Sequence, residues 1–124
     1  MIQAKDLRIG NWVMYDNKIF EVDTISMEFP TLNTIEFGIG VVKWDKLNPI
    51  PLTEELLIKC GFKKINHIHG YSFWAMGIKG GRPKIDIYES RTEYMGYSVK
   101  HVQYLHQIQN LYFTLTGKEL EINL

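Results

Sequence analysis

The stretch His101–Gly117, HVQYLHQIQNLYFTLTG, keeps helical periodicity over seventeen residues and contains no Asp, Glu, Lys or Arg. At about 100° per residue, Tyr104, Leu105, Ile108, Leu111, Tyr112 and Leu115 fall on one arc, with Val102 and Phe113 at its edge. Gln103, His106, Gln107, Asn110 and Thr114 make up the opposite face. A surface helix ordinarily carries Lys and Glu there. A neutral, amide-rich face implies a helix covered on both sides: by its own sheet, by a partner, or by a second copy of the chain. Buried amides need hydrogen-bond partners. The expectation is therefore a homo-oligomer through this C-terminal helix, with a monomer whose N-terminal lobe covers the face as the alternative.

Residues 1–50 read as β. Asn11–Tyr15 and Lys18–Val22 flank Asp16-Asn17, a pair suited to the positive φ angles of a two-residue hairpin turn. Further strands are expected at Thr24–Phe29, Thr34–Phe37 and Gly40–Trp44, with a bulge or bend at Gly38 and Gly40. Short strands so closely spaced suggest an SH3-like or curled antiparallel lobe. Asn48-Pro49-Ile50-Pro51 reads as a stiff connector. Thr53 then caps a short helix with Glu54 and Glu55 at its positive end, and Gly61 is placed to end it, with Phe62 folding back on Leu57. Strands are expected at Phe62–Ile68, Tyr71–Ile78 and Lys84–Tyr88, the last two joined by the loop Lys79-Gly80-Gly81-Arg82-Pro83. Residues 90–98 are ambiguous. Beyond Gly117, Leu120, Ile122 and Leu124 alternate with polar residues, the period of a terminal edge strand. The fold class is α+β: a lobe over 1–50, then a helix, β-hairpin and long helix over 51–124, the two lobes sharing a core.

The chain has 124 residues, enough to bury roughly two-thirds of its unfolded surface without metals or disulfides. Fourteen basic residues balance fourteen acidic ones, which argues against a broad electrostatic footprint for duplex DNA or an anionic membrane. A single cysteine, Cys60, forms no internal disulfide, and the N-terminal segment has no apolar run of the secretory kind. These features are those of a cytoplasmic protein with no membrane partner.

Motifs for chemistry are sparse. His67-x-His69 puts two imidazoles on one strand face, but a metal needs a third ligand that the sequence does not name. His101 and His106 lie about 140° apart around a helix and do not face one ligand. Cys60 sits at the negative end of a helix, which disfavours a thiolate. Asp86, Glu89 and Glu93 are neighbours in sequence only, without a cleft to hold them. There is no nucleophile elbow, zinc-protease motif, P-loop or dinucleotide fingerprint. The expectation is a non-catalytic protein with neither cofactor nor metal.

The strongest constellation lies in the hairpin of the second lobe. Tyr71, Phe73 and Trp74 lie along one strand and Tyr88 on its neighbour, with Lys79, Arg82, Lys84 and Arg91 in or beside the loops. Aromatic faces stack on planar ligands while Arg and Lys hold phosphates. Tyr71, Trp74, Lys79, Arg82, Tyr88 and Arg91 are the candidate ligand-binding residues. Half of the aromatics are expected to alternate into the core, as they do in most small α+β domains.

Three segments, KDLRIGNWVMY (Lys5–Tyr15), PIPLTEELLIKCGF (Pro49–Phe62) and VQYLHQIQNLYFTLTGKELEI (Val102–Ile122), resemble a family of small uncharacterised proteins from Bacteroidota, their phages and integrated elements. The likeness covers both ends of the chain and does not extend over residues 63–98. No catalytic residues are established for that family, so none carry over. The resemblance implies a phage or mobile-element accessory protein working in a host bacterial cell. Combined with the hairpin, it favours a protein that binds a host factor or a nucleotide-like signal, in a counter-defence or sequestering role. A nucleic-acid-binding accessory module is the alternative, and a metal-dependent enzyme using His67 and His69 the third possibility.

Overall fold

The computed structural model describes residues 2, 4–25, 31–34, 38–41, 44–77, 84–89 and 91–124. Among these residues it shows a mixed α+β fold with a four-stranded and a five-stranded antiparallel sheet and two α-helices. The chain divides into two units. Met1–Pro51 with Tyr104–Asn110 form the first, and Leu52–Gln103 with Leu111–Leu124 the second. The first unit takes in residues 104–110 as well as the N-terminal segment. The helical period of the last segment gives no sign that one helix would be divided between the units.

The first sheet is a meander of β1 (Trp12–Tyr15), β2 (Lys18–Thr24), β3 (Thr31–Thr34) and β4 (Gly38–Val41). Asp16 and Asn17, at φ 50° and 61°, close β1 on β2 with Tyr15 opposite Lys18. Both take the left-handed conformation that short polar side chains tolerate. The irregularity expected at Gly38 and Gly40 lies elsewhere: the register shifts between Val22 and Thr24, while Gly38 and Gly40 pair regularly with Thr34 and Leu32. Thr24 belongs to β2, and residues 26–30, 35–37 and 42–43 lie outside the described ones. Trp44, the expected end of the Gly40–Trp44 strand, instead begins a single 3-10 turn, Trp44–Lys46. Ile2, Leu7, Val13, Val22 and Leu47 form the core, with Tyr15, Phe20 and Ile25 packed against it. The connector also pairs: Asn48 exchanges backbone hydrogen bonds with Met14 at 2.8 and 2.9 Å.

The final helix, α2 (Leu105–Thr116), begins four residues later than its periodicity predicts. Tyr104 stands at the N-cap, where its N–H donates to the Gln107 side chain at 3.0 Å. That is the returning half of a capping box, made without a Ser, Thr, Asp or Asn at the cap. Leu105 N–H donates to Ile50 O at 2.9 Å. Leu105 and Ile108 are fully buried, and so are His106 and Gln109.

Two amides of α2, Gln109 and Asn110, find partners inside the first unit. Gln109 Nε2 donates to Gly10 O at 3.1 Å while its Oε1 accepts from the Trp12 N–H at 2.8 Å. Asn110 Oδ1 accepts from Asn11 Nδ2 at 2.8 Å, and Asn110 Nδ2 donates to Asp6 O at 3.1 Å. Asn11, wholly buried, accepts in turn from the Arg8 N–H at 2.7 Å. Gly10 holds φ +94° while donating to Val22 O, so its carbonyl is free to meet the glutamine only in a conformation that favours glycine. With these amides satisfied within one chain, they give no physical reason to expect a second copy.

His106 shares this buried setting, stacked near Tyr104 at 6.2 Å between ring centroids. Burial lowers its pKa below the ordinary 6.5, with Asp6 opposing the shift. The unfolded chain therefore takes up this proton at a higher pH than the folded one. The stability contribution is full above about pH 6.5 and is lost as pH falls through the lowered folded value. Urea titrations between pH 7 and pH 5 should show a decline in the parent that His106→Leu flattens, and parallel curves for the two proteins would refute the linkage.

In the second unit, Thr53 Oγ1 accepts from the Leu56 N–H at 3.2 Å and caps α1 (Glu54–Lys59). Gly61, at φ +90°, allows Phe62 N–H to reach Leu57 O and Gly61 N–H to reach Ile58 O, both at 3.0 Å. This is the Schellman ending expected from Gly61-Phe62, and Leu57 and Phe62 are both buried. Five strands follow as a meander: β5 (Lys63–Asn66), β6 (Ser72–Gly77), β7 (Lys84–Ile87), β8 (Thr92–Tyr94) and β9 (Tyr97–Ser98). The expected single hairpin is thus the middle of a larger sheet, and the ambiguous segment supplies two strands through a turn at Met95-Gly96 with φ 53° and 85°. Residues 118–124 form no strand, contrary to the alternation seen there. Leu120 is buried and the Asn123 N–H donates to Lys59 O, but one hydrogen bond is not a ladder.

Candidate functional site

Alternation sorts the side chains of the five-stranded sheet. Trp74 pairs with Ile87 and Met76 with Ile85, so these four share one face, on which Met76, Ile85 and Ile87 are buried. Thr92, opposite Ile87, belongs there too, and its hydroxyl donates to Val102 O at 2.8 Å. The outer face carries the residues between them. Across it runs a row from four strands and their ends: Ile65, Phe73, Tyr88 and Arg91. Ile65 pairs with Phe73 in register, and the Tyr88 N–H donates to Arg91 O at 2.8 Å, extending the β7–β8 ladder by one step.

The row is a stack. Phe73 and Tyr88 lie 4.9 Å apart at 22°, and the Arg91 guanidinium carbon sits 4.3 Å from the Tyr88 ring centre. These distances match the spacing between neighbouring strands, so the rings stand upright like books on a shelf. A second stacked pair adjoins it: His67 and Tyr71 are 4.4 Å apart at 9°, with Tyr71 6.4 Å from Phe73 along the strand. Tyr71 is 48% exposed and Ile65 42%, so these apolar groups meet solvent.

Arg91 is held at both of its chemical surfaces. One face lies on Tyr88, and Nε donates to Glu93 Oε2 at 2.5 Å. That hydrogen bond is the main reason its pKa is raised. The next row on the outer face is Lys63, Ala75, Asp86, Glu93 and Ser98. Burial, and then Glu93, raise the pKa of Asp86 against the opposing effect of Lys84. Burial likewise raises that of Tyr88, followed by the two carboxylates. Among the described residues the face therefore joins rings and one oriented guanidinium to a mixture of carboxylates and the lysines Lys63 and Lys84.

Of the residues singled out by sequence, Tyr71, Tyr88 and Arg91 come together here. Trp74 does not, because one step along β6 turns it to the opposite face. Lys79 and Arg82 lie outside the described residues. Phe73 takes the place assigned to Trp74, a choice that the two-residue period settles once Met76 is known to be buried. His67 joins the face as a ring: its Nδ1 accepts from the His69 N–H at 3.2 Å. Among the described residues, no three His, Cys, Asp or Glu side chains are grouped to hold a metal ion.

No family model, curated protein or solved structure matches this chain. Its chemistry is read from its own side chains. Cys60, buried at the end of α1, has its thiol pushed up to about 11 by burial, which disfavours the thiolate near neutral pH. Among the described residues no helix is long and apolar enough to cross a membrane. What the outer face can do is stack: it offers an ordered row of π-faces with a planar cation at its end.

Proposed function

We propose that this protein is a non-catalytic binding protein, an accessory factor of a phage or mobile element, which captures a nucleotide-like signal or a host factor on the outer face of its five-stranded sheet. The observation that carries this reading is the Phe73–Tyr88–Arg91 stack, with His67 and Tyr71 beside it. Rings half-exposed on a sheet face are preorganised to receive a planar group, since little side-chain freedom is lost on binding. The resemblance of the chain's ends to mobile-element proteins supports the setting. A single-stranded nucleic acid would use the same rings, but among the described residues Lys63, Lys84, Asp86 and Glu93 give the face mixed charge and no continuous run of cations for phosphates.

Native mass spectrometry of the protein isolated from its own host tests the proposal. The parent should retain a small molecule or a protein partner. The combined variant Tyr71→Ala, Phe73→Leu, Arg91→Ala should fold and emerge without it. Equal retention by both would dismiss the outer face as the site.

A further inference from the structure

On the outer face of β6 the side chains shrink along the strand, from the ring of Phe73 to the methyl of Ala75 to none at Gly77. We propose that the trough this leaves receives one sugar ring bearing vicinal hydroxyls. The Asp86 carboxylate accepts from the hydroxyls, and the Lys63 and Lys84 ammonium groups donate to them from the borders. The inference rests on the reading of the outer face as a binding surface, and it names the part of the ligand that lies beside the ring row. The ribose of a nucleotide-like signal and a free saccharide share this chemistry.

Register sets the walls. Lys63 on β5 and Asp86 on β7 both stand directly opposite Ala75, and Lys84 stands opposite Gly77. The flanking strands are two strand spacings apart, about 9.5 Å, which suits a single ring between them. The Phe73–Tyr88 stack stops one end. Ala75 is half-buried and Gly77 exposed, so the floor meets solvent. The fold itself gains little from Asp86. It faces Glu93 across β7 and β8, and like charges directly opposite each other in a sheet are destabilising. Glu93 is taken up by Arg91. Asp86 is not: its Oδ1 is enclosed without a hydrogen-bond partner, and among the described residues no ion pair joins it to Lys63 or Lys84. Burial raises its pKa, with Lys84 opposing the shift and Glu93 adding to it. An enclosed polar atom without a partner calls for an explanation, and hydroxyl donors on a ligand supply one. The last torsion of a carboxyl is broad, so a ligand can draw either oxygen outward. An acceptor between two cations matches hydroxyls, which both donate and accept. A phosphate set in the trough would meet Asp86, and a ligand cation would meet the lysines. Carboxylates accept in this way from the ribose hydroxyls of dinucleotides.

Amide chemical shifts followed during titration with the four common ribonucleosides, their 2′-deoxy counterparts and methyl α-mannoside give the test. At least one ribonucleoside should bind and shift Ala75 and Asp86, and its 2′-deoxy form should bind about tenfold or more weakly, the loss of a hydrogen bond to a charged group. Asp86→Asn should weaken the ribonucleoside about tenfold and the deoxynucleoside less than about threefold. Ala75→Val keeps a strand-forming residue while filling the trough, and should abolish binding of both. Methyl α-mannoside binding with the same dependence on Asp86, with no nucleoside bound, would support the trough and assign it to a free saccharide. Equal affinities for ribo and deoxy forms, or no effect of Asp86→Asn, would overturn the sugar inference. The outer face would still stand as the site if Tyr71→Ala with Phe73→Leu abolished that same binding. If no probe binds, the sugar inference falls, and retention of a host ligand by the parent but not by the ring variant then decides the outer face separately.

Discussion

Replacing Gln109 with alanine is expected to lower the unfolding free energy by about 3 kcal/mol or more, one of the largest single losses available in this chain. The side chain is 2% exposed and acts as both donor and acceptor to backbone groups of the Gly10–Trp12 segment. Truncation strands the Trp12 N–H and the Gly10 carbonyl, each costing roughly 1–3 kcal/mol when buried without a partner. Gln109→Glu keeps the acceptor but sets a carboxylate oxygen against the Gly10 carbonyl, so it too should be destabilising. Asn11→Ala should cost a comparable amount, since it removes the donor to Asn110 and the acceptor for the Arg8 N–H. The double variant should lose less than the sum, because Asn11 and Gln109 share one buried network. Urea unfolding of the four proteins gives the cycle. A loss below about 1 kcal/mol for Gln109→Ala would mean that water replaces the glutamine and that α2 is not fastened this way.

This network accounts for Asn110 of the polar face that marks the sequence of α2, and for Gln109 beside it. The turn at Asp16-Asn17 and the ending at Gly61-Phe62 were legible because each is decided by the φ angle that a few adjacent residues accept. The start of α2 was not. Val102 and Tyr104 fit the helical arc, yet Val102 gives its carbonyl to Thr92 and Tyr104 forms a bridge with Pro51, both choices made by residues far away in sequence. The tail shows the same limit in reverse. Leu120, Ile122 and Leu124 alternate as a strand would, but a strand also needs a neighbour with an unpaired edge, and that is not written in the period. At the site, Tyr71, Tyr88 and Arg91 were visible as a cluster of suitable types. Phe73 could be told from Trp74 only after burial fixed which side of β6 faces inward.

Ile85→Ala should cost about 2–5 kcal/mol, whereas Tyr71→Ala, immediately before the strand next to that of Ile85, should cost less than about 1 kcal/mol. Ile85 is fully buried on the inner face of β7, where losing three carbons removes apolar burial and leaves a cavity that close-packed neighbours fill only in part. Tyr71 stands on the outer face, 48% exposed, and its stacking on His67 offsets little of the freedom it regains when released. Phe73→Leu should fall between them, because the ring is half-buried against Tyr88 but covers no core. The contrast bears directly on what the rings are for. Weak stabilisation by side chains aligned at stacking distance would support the proposed binding role over a structural one. Thermal melts of the three variants decide it. A loss at Tyr71 or Phe73 as large as that at Ile85 would make the stack a structural element and remove the physical ground for placing recognition on this face.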